Sequence, residues 1–408
     1  MISRSERMQE PLRILLISSN MPWRGGGTFY RVFGFGSELA SRGHQVTLLL
    51  TALEEKSSIV EQSQNGVRII EAPALLTGKL RSGWDPYEVL QRCRWLRGRH
   101  FDIVHAFESR PVVIYPSLFM KNRTGARLIL DWCDWLGRGG MVEERVLGMT
   151  GEWFLKRVLR WADTFFEEHF RSRAHATTVI CKALRDRAED LGVPSRTIHL
   201  LPNGADTRSV TVLGRNEARE AVGLSTSMPL IGHLGNIFYR DIDFMARAFT
   251  QVQRVLPESR LLLIGDYKNY ILNHLPSAAV LSTGYVRGLG LNRYLAACDV
   301  HWLPLSDSIA NRGRWPMKLS DYLASGRAIV ATAVGDWADL FVGEKPVGLL
   351  ASADPDNFAE KTLSLLSDSA AKLNFERNAR HVAETTFSWP LIADKLESIY
   401  YMTIEQGK

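Results

Sequence analysis

Lys318 and Asp321 stand three residues apart within residues 311–335, a stretch whose apolar pattern reads as a short helix followed by a strand. On a helix that spacing puts the ammonium and the carboxylate on one face. Pro316 sits where the helix would begin, and Gly326 supplies the left-handed residue that commonly ends one. A cation and a carboxylate beside a helix N-terminus suit a ligand with a diphosphate at one end and a ribose diol at the other. A second set of reactive groups gathers at the ends of two apolar strands: His105 near the end of residues 101–107 with Glu108 just after it, and Asp134 after residues 128–130 in a Trp-rich loop. Ligands gather at the carboxyl ends of parallel strands. A carboxyl group there, its pKa raised by burial, can orient or deprotonate a hydroxyl. His105 is equally suited to a core position.

The elements that must carry these groups form two series. Residues 12–18 read as a buried parallel strand, and Gly25-Gly26-Gly27-Thr28 opens a helix through Val32, Phe35 and Leu39 that Gly43 closes. Residues 46–50 then complete a βαβ unit, whose glycine loop offers backbone N–H groups at a helix N-terminus. The pattern restarts at residues 230–234 with Asn236 and Arg240 just beyond, and a bidentate guanidinium there suits phosphate. Tyr285 lies near the end of a short apolar segment over residues 280–286. Residues 299–303 form the strand that leads back to Lys318. Residues 149–170 give a long amphipathic helix that mixes Trp153, Phe154 and Trp161 with Lys156, Arg157 and Arg160. It reads as a docking surface for lipid or acceptor, or as a core helix.

Length and composition bound the answer. A chain of 408 residues exceeds one core, so two domains are expected. No apolar run approaches the ~18 residues of a membrane helix. Cys93, Cys133, Cys181 and Cys298 lie far apart, with neither metal-type spacing nor a disulfide framework, which fits a reducing cytoplasm. The net charge of +6 is uneven. Residues 1–200 carry 29 Lys and Arg against 22 Asp and Glu, whereas the rest carry 21 against 22. A basic first half can face anionic lipid, nucleic acid or a phosphorylated acceptor, or simply solvent. Charge alone names no partner, and no nucleic-acid recognition motif accompanies it.

The block from Pro316 onward resembles the donor-binding segment of the family 4 (GT4) glycosyltransferases, through Pro316, Lys318, Leu319, Tyr322, Ala324, Gly326, Ile329 and Val330. Asp321 stands where that family usually has Glu, and Ala328 where it has Pro. Arg42-Gly43-His44-x-Val46 and the Pro202-Asn203-Gly204-Ala205-Asp206 turn also match, so the resemblance spans nearly the whole chain. It departs at Phe107, where relatives carry a second His. It departs again at Gly313, where they carry a second carboxylate, and after residue 236, where a Lys-Gly pair is missing. Asp307 or Asn311 would then take over the hydroxyl contact of the absent carboxylate, or the sugar would be held differently.

The resemblance implies an α/β protein of GT-B fold, two Rossmann-like doubly wound domains facing a cleft. The division would run 1–203, 204–386, and a C-terminal helix, 387–408, packing back toward the first domain. It implies retaining transfer of a hexose-type sugar from a nucleotide sugar to a glycan or lipid-linked acceptor, in surface polysaccharide synthesis, without a metal. The enzyme would be cytoplasmic, or peripheral on the inner face of the cell membrane. Gly26, Gly27, Thr28, Asn236, Arg240, Tyr285, Lys318 and Asp321 would hold the donor, with Asp134, Glu108 and His105 as catalytic candidates beside the departing phosphate itself. A catalytically degenerate binding subunit or a nucleotide-sugar epimerase of the same fold is the alternative.

Overall fold

The computed structural model of the 408-residue chain describes residues 10–23, 26–76, 83–147, 153–267 and 272–406; Gly25 and Met149 lie outside them. Two parallel sheets organise the molecule. In the first half the strands are β1 (Arg13–Ile17), β2 (Gln45–Thr51), β3 (Val60–Gln64), β4 (Val67–Ala72), β5 (Ile103–Phe107), β6 (Arg127–Trp132), β7 (Ala176–Val179) and β8 (Ile198–Leu200). Between them run the helices α1 (Gly27–Ser41), α2 (Pro86–Leu96), α3 (Pro111–Thr124), α4 (Met141–Leu147), α5 (Trp153–His169) and α6 (Lys182–Asp190). The strand order is β3-β4-β2-β1-β5-β6-β7-β8, parallel throughout except for the β3–β4 edge hairpin.

The second half holds β9 (Leu230–Leu234), β10 (Arg260–Ile264), β11 (Val280–Ser282), β12 (Val300–Leu303), β13 (Ile329–Thr332) and β14 (Gly348–Ala351). Its helices are α7 (Arg215–Ala221), α8 (Tyr239–Val255), α9 (Gly288–Ala297), α10 (Ile309–Arg312), α11 (Met317–Ser325), α12 (Pro355–Ser367), α13 (Ser369–Thr385) and α14 (Trp389–Glu405). All six strands are parallel, in the order β11-β10-β9-β12-β13-β14. The two sheets identify the architecture as GT-B.

The strands form because their near-continuous apolar runs are covered on both faces. Leu15, Ile17, Leu49 and Val104 meet Val112 and Val113 of α3, while Ile14, Leu16 and Leu48 meet Phe35 and Leu39 of α1. In the second sheet Ile231, Leu261, Val300 and Trp302 pack on Met245 and Phe249 of α8 and Phe358 of α12. Each sheet starts at its middle strand and reverses direction beside it, at β1–β5 and at β9–β12. A crevice opens outside the carboxyl ends of strands at such a point. The glycine loop, Glu108, His233 and the Lys318 helix all issue from these two places.

The halves are tied together around Ala205. Ala205 N–H donates to Phe387 O (2.6 Å), and Trp389 N–H returns a bond to Ala205 O (3.2 Å). Beyond it α14 lies along α1. The Trp389 ring fills the space left by Gly34, where an added Cβ would sit 2.5 Å from the indole. Arg42 binds Asp394 and Glu397, and His44 Nε2 lies 2.9 Å from Glu397, so His44 is a structural histidine. Among the described residues no helix is long and apolar enough to cross a membrane.

Candidate functional site

Two helix N-termini converge on the cleft. Gly26 precedes α1 with φ 69° and ψ −159°, a conformation essentially reserved for glycine. Neither Gly26 nor Pro316, which precedes α11, places a side-chain oxygen on the first-turn N–H groups. Both starts therefore present uncapped donors and the positive end of a helix dipole. They also approach each other closely, since a Cβ added to Gly27 would lie 3.2 Å from Met317 Cγ. Thr28 places its hydroxyl 3.7 Å from Cys133 Sγ.

Lys318 is held from behind. Its Nζ donates to Asn236 O (2.7 Å) and lies 3.0 Å from His233 Nε2. Tyr267 Oη donates to His233 O (3.0 Å) and sits 2.7 Å from His233 Nδ1. The tyrosine proton being committed, Nδ1 carries the ring hydrogen and Nε2 offers its lone pair to the ammonium. Burial lowers the lysine pKa to about 7, and the neighbouring Arg314 charge adds to this. Asp321, one turn along, makes no hydrogen bond or ion pair among the described residues; burial, with Asp206 nearby, raises it to about 7. The two side chains do not pair with each other. Lys318 faces His233 and Asn236, whereas Asp321 lies near Tyr30 and Asp206.

The opposite wall comes from the first sheet. Glu108 has φ 74° although it is not glycine, a strain that persists only where its surroundings enforce it. Ser19 Oγ and Asn20 Nδ2 donate to its carboxylate, the latter at 2.8 Å. Asp134 has no hydrogen-bond partner among the described residues. Burial pushes its pKa up to about 7; Arg314 opposes that shift, and Glu108 and Asp131 reinforce it. A backbone bridge between Asp134 and Arg314, with Trp135 N donating to Gly313 O at 3.0 Å, binds this wall to the donor side. It also accounts for Gly313: an added Cβ there would stand 2.5 Å from Trp135 Cβ, so no carboxylate fits.

Several sequence candidates sit elsewhere. His105 is fully buried, with Nδ1 2.8 Å from Tyr400 Oη and Nε2 3.1 Å from Thr178 Oγ1. Burial lowers its pKa to about 3. It is a core histidine that cannot reach a substrate. Arg240 does not project free toward a phosphate; its Nε pairs with Glu144 at 2.9 Å, across the cleft. Tyr285 stands at the rim, its hydroxyl donating to Trp23 O (2.7 Å) and lying 2.9 Å from Tyr30 Oη, rather than lying ready under a base. Asp307 is engaged by Arg312 at 2.6 Å, and Asn311 is fully buried against Ser306 and Asp241. Asn236 contributes its carbonyl, not its amide side chain.

Three groups escaped the sequence reading. Tyr267 and His233 position Lys318, and Arg314 lies between Asp134 and Lys318 with its guanidinium 4.2 Å from the Phe238 ring centroid. The only sequence signal for His233 was a polar residue inside the apolar run 230–234.

Comparisons with known proteins agree with this fold. Residues 26–204 match the glycosyl transferase 4-like domain, and residues 228–368 match the glycosyl transferases group 1 family. A D-inositol 3-phosphate glycosyltransferase of Xylanimonas cellulosilytica is 22% identical, over 92% of this chain and 91% of its own length. Sucrose-phosphate synthase from Thermosynechococcus elongatus superposes with a TM-score of 0.75 at 17% identity, covering 98% of this chain and 100% of that one. The Anabaena protein HepE in complex with UDP-glucose gives 0.67 at 14% identity, over 95% and 98%.

Proposed function

The chain belongs to the GT4-like glycosyltransferases of GT-B fold, which draw on a nucleotide-sugar donor, and from that premise we propose its reaction in finer terms. It transfers a hexose-type sugar, with retention of anomeric configuration, to a glycan or lipid-linked acceptor in surface polysaccharide synthesis. The observation that carries the reading is Lys318, pinned by His233 and Asn236 beside two uncapped helix N-termini. That arrangement meets charge growing on a leaving diphosphate, where preorganised donors act most strongly. Asp321 holds the ribose diol. Asp134, supported by Glu108, faces the acceptor hydroxyl. The hydroxyl oxygen bonds to the anomeric carbon on the face from which the diphosphate oxygen departs, as retention requires, and the hydroxyl proton passes to Asp134. The UDP-glucose bound by the Anabaena structure supports a donor of this class.

A panel of nucleotide sugars with polyol and lipid-linked acceptors, read by proton NMR of the anomeric product, tests the proposal. An inverted product removes the retaining mechanism. Donor turnover without acceptor indicates the epimerase, and affinity without turnover the binding subunit.

Asp134 gives a pH test. Its carboxyl must be ionised to take a proton, and burial holds its pKa near 7. Below that value kcat/KM should fall about tenfold per pH unit. Asp134→Asn should erase that limb along with most of the rate; an unchanged acid limb in the variant assigns it to another group.

The exposed face of α5 fits attachment to an anionic membrane surface. Trp153, Phe154 and Trp161 are 72%, 71% and 64% exposed, beside Lys156 and Arg157. Aromatic side chains of this size next to cations suit the headgroup boundary. Replacing all three by serine should reduce binding to phosphatidylglycerol vesicles at least about tenfold, since each large apolar side chain contributes roughly 1.5–3 kcal/mol when buried. Equal sedimentation of both proteins with vesicles sinks this assignment.

A further inference from the structure

Two arginines of this protein make a controlled comparison. Arg31 spends all five guanidinium donors: on both Asp131 oxygens (2.8 and 3.0 Å), on Leu201 O (2.8 Å), on Pro202 O (3.0 Å) and on Asn203 Oδ1 (3.1 Å). Arg314 spends none. Its side chain has no hydrogen bond and no ion pair among the described residues, its Nε is buried without a partner, and its guanidinium lies over the Phe238 ring, 4.2 Å from the centroid. Asp134, Asp241 and Glu144 surround it at longer range. Two of these are committed elsewhere, Asp241 to Ser306 N–H (2.7 Å) and Glu144 to Arg240 (2.9 Å).

A half-buried guanidinium whose Nε is shut off from water without a partner is costly, and such a group calls for an explanation. Here the neighbourhood supplies one. Lys318 lies close enough for the two charges to repel, and the uncapped starts of α1 and α11 open onto the same space. Asp241 acts on both cations at longer range but forms an ion pair with neither, so their remaining N–H groups are left for a polyanion that arrives later. The planar guanidinium, stacked on Phe238, would present its fork to phosphate oxygens in bidentate fashion. Arg240, the residue whose position in the sequence suits that task, is tied to Glu144.

We propose that Arg314 is the second cation of the diphosphate site, gripping the leaving nucleoside diphosphate opposite Lys318 in place of Arg240. This rests on the nucleotide-sugar reading above. An acceptor carrying a phosphate or carboxylate is the competing ligand for the same fork, and the two give different results when measured.

The experiment is isothermal titration of the full chain with UDP, GDP and ADP, each beside its monophosphate, for the unaltered protein and for Arg314→Gln and Arg314→Lys. With the best-binding base, Arg314→Gln should weaken the diphosphate about 10- to 100-fold and the monophosphate less than about threefold, as expected for losing charge-assisted hydrogen bonds. Arg314→Lys should fall between. Thermal unfolding separates ligand binding from a scaffold role: without ligand, Arg314→Gln should melt no lower than the unaltered protein, because a half-buried charge without a partner has been removed. The assignment is overturned if diphosphate and monophosphate weaken equally, or if the ligand-free midpoint drops by several degrees. It is also overturned if diphosphate affinity is unchanged while the acceptor KM rises. Failure of the unaltered protein to bind any of the three diphosphates would refute the donor reading itself, and this assignment with it.

Discussion

Lys318→Ala should lower kcat/KM by about 10²- to 10³-fold while the protein keeps a cooperative unfolding transition. That is the usual cost of deleting one preorganised donor to developing negative charge. The size of the effect follows from how the amine is held. Asn236 O and His233 Nε2 fix two of its three protons, and Tyr267 fixes the tautomer of that imidazole. The remaining N–H is aimed before substrate arrives, so no reorganisation is left for the transition state. Lys318→Arg should not rescue, because a planar fork cannot make the same two backward bonds.

The pH dependence carries a sign that checks the same group. In the free enzyme the lysine pKa is lowered to about 7 by burial and by Arg314, so kcat/KM should decline as pH rises above about 7. A bound diphosphate favours the charged amine, so the falling limb of kcat, which reports the complex, should lie at higher pH than that of kcat/KM. Near wild-type transfer by the alanine variant, or identical basic limbs in both profiles, would remove Lys318 from the diphosphate site.

What could be read from the residues depended on whether the signal was local. Strands such as β1 and β10 are near-continuous apolar runs between turn residues, and the glycine loop and Gly326 mark the helix ends beside them. The edge strand β3, Val-Glu-Gln-Ser-Gln, is exposed at every position and carries no apolar alternation. Its one clue was Asn65-Gly66, whose φ values of 51° and 76° suit a two-residue hairpin turn. His105 misled for a geometric reason. It lies near a carboxyl end, but residues 105 and 107 share one face of β5, and that face packs on Phe35 and Tyr400. Its partner Tyr400 is 295 residues away. Arg240, expected to face a phosphate, is engaged elsewhere for the same kind of reason. Whether a guanidinium is free or spent depends on Glu144, which approaches only once the two halves face each other. Spacing along the chain does not encode that meeting.

Arg31→Met should destabilise the protein by about 3–5 kcal/mol, the typical cost of stranding one partner of a buried ion pair. Both side chains are almost wholly inaccessible, and the Asp131 carboxylate also accepts from Thr178 Oγ1 at 2.6 Å. In the intact protein Arg31, with His105 and Thr178, holds the Asp131 pKa below its ordinary 3.8 against the opposing effect of burial. The pair therefore contributes stability that is fully present above about pH 4 and is lost as pH falls through the folded value. Without Arg31, burial drives that pKa upward, so the deficit should be largest at pH 8 and shrink as the carboxyl protonates toward pH 5. Urea unfolding at the two pH values measures the difference. The loss should also reach the cleft. Arg31 fixes residues 201–203, and Asn203 Nδ2 donates to Trp315 O (2.8 Å), the residue next to Arg314. Asn203→Ala leaves Asp131 paired, so it should cost only about 1–3 kcal/mol for the unmet Trp315 carbonyl while sharing the loss of nucleotide affinity. If Arg31→Met unfolds at the same urea concentration as the unaltered protein, with no pH-dependent gap, the Arg31–Asp131 pair does not stabilise the fold.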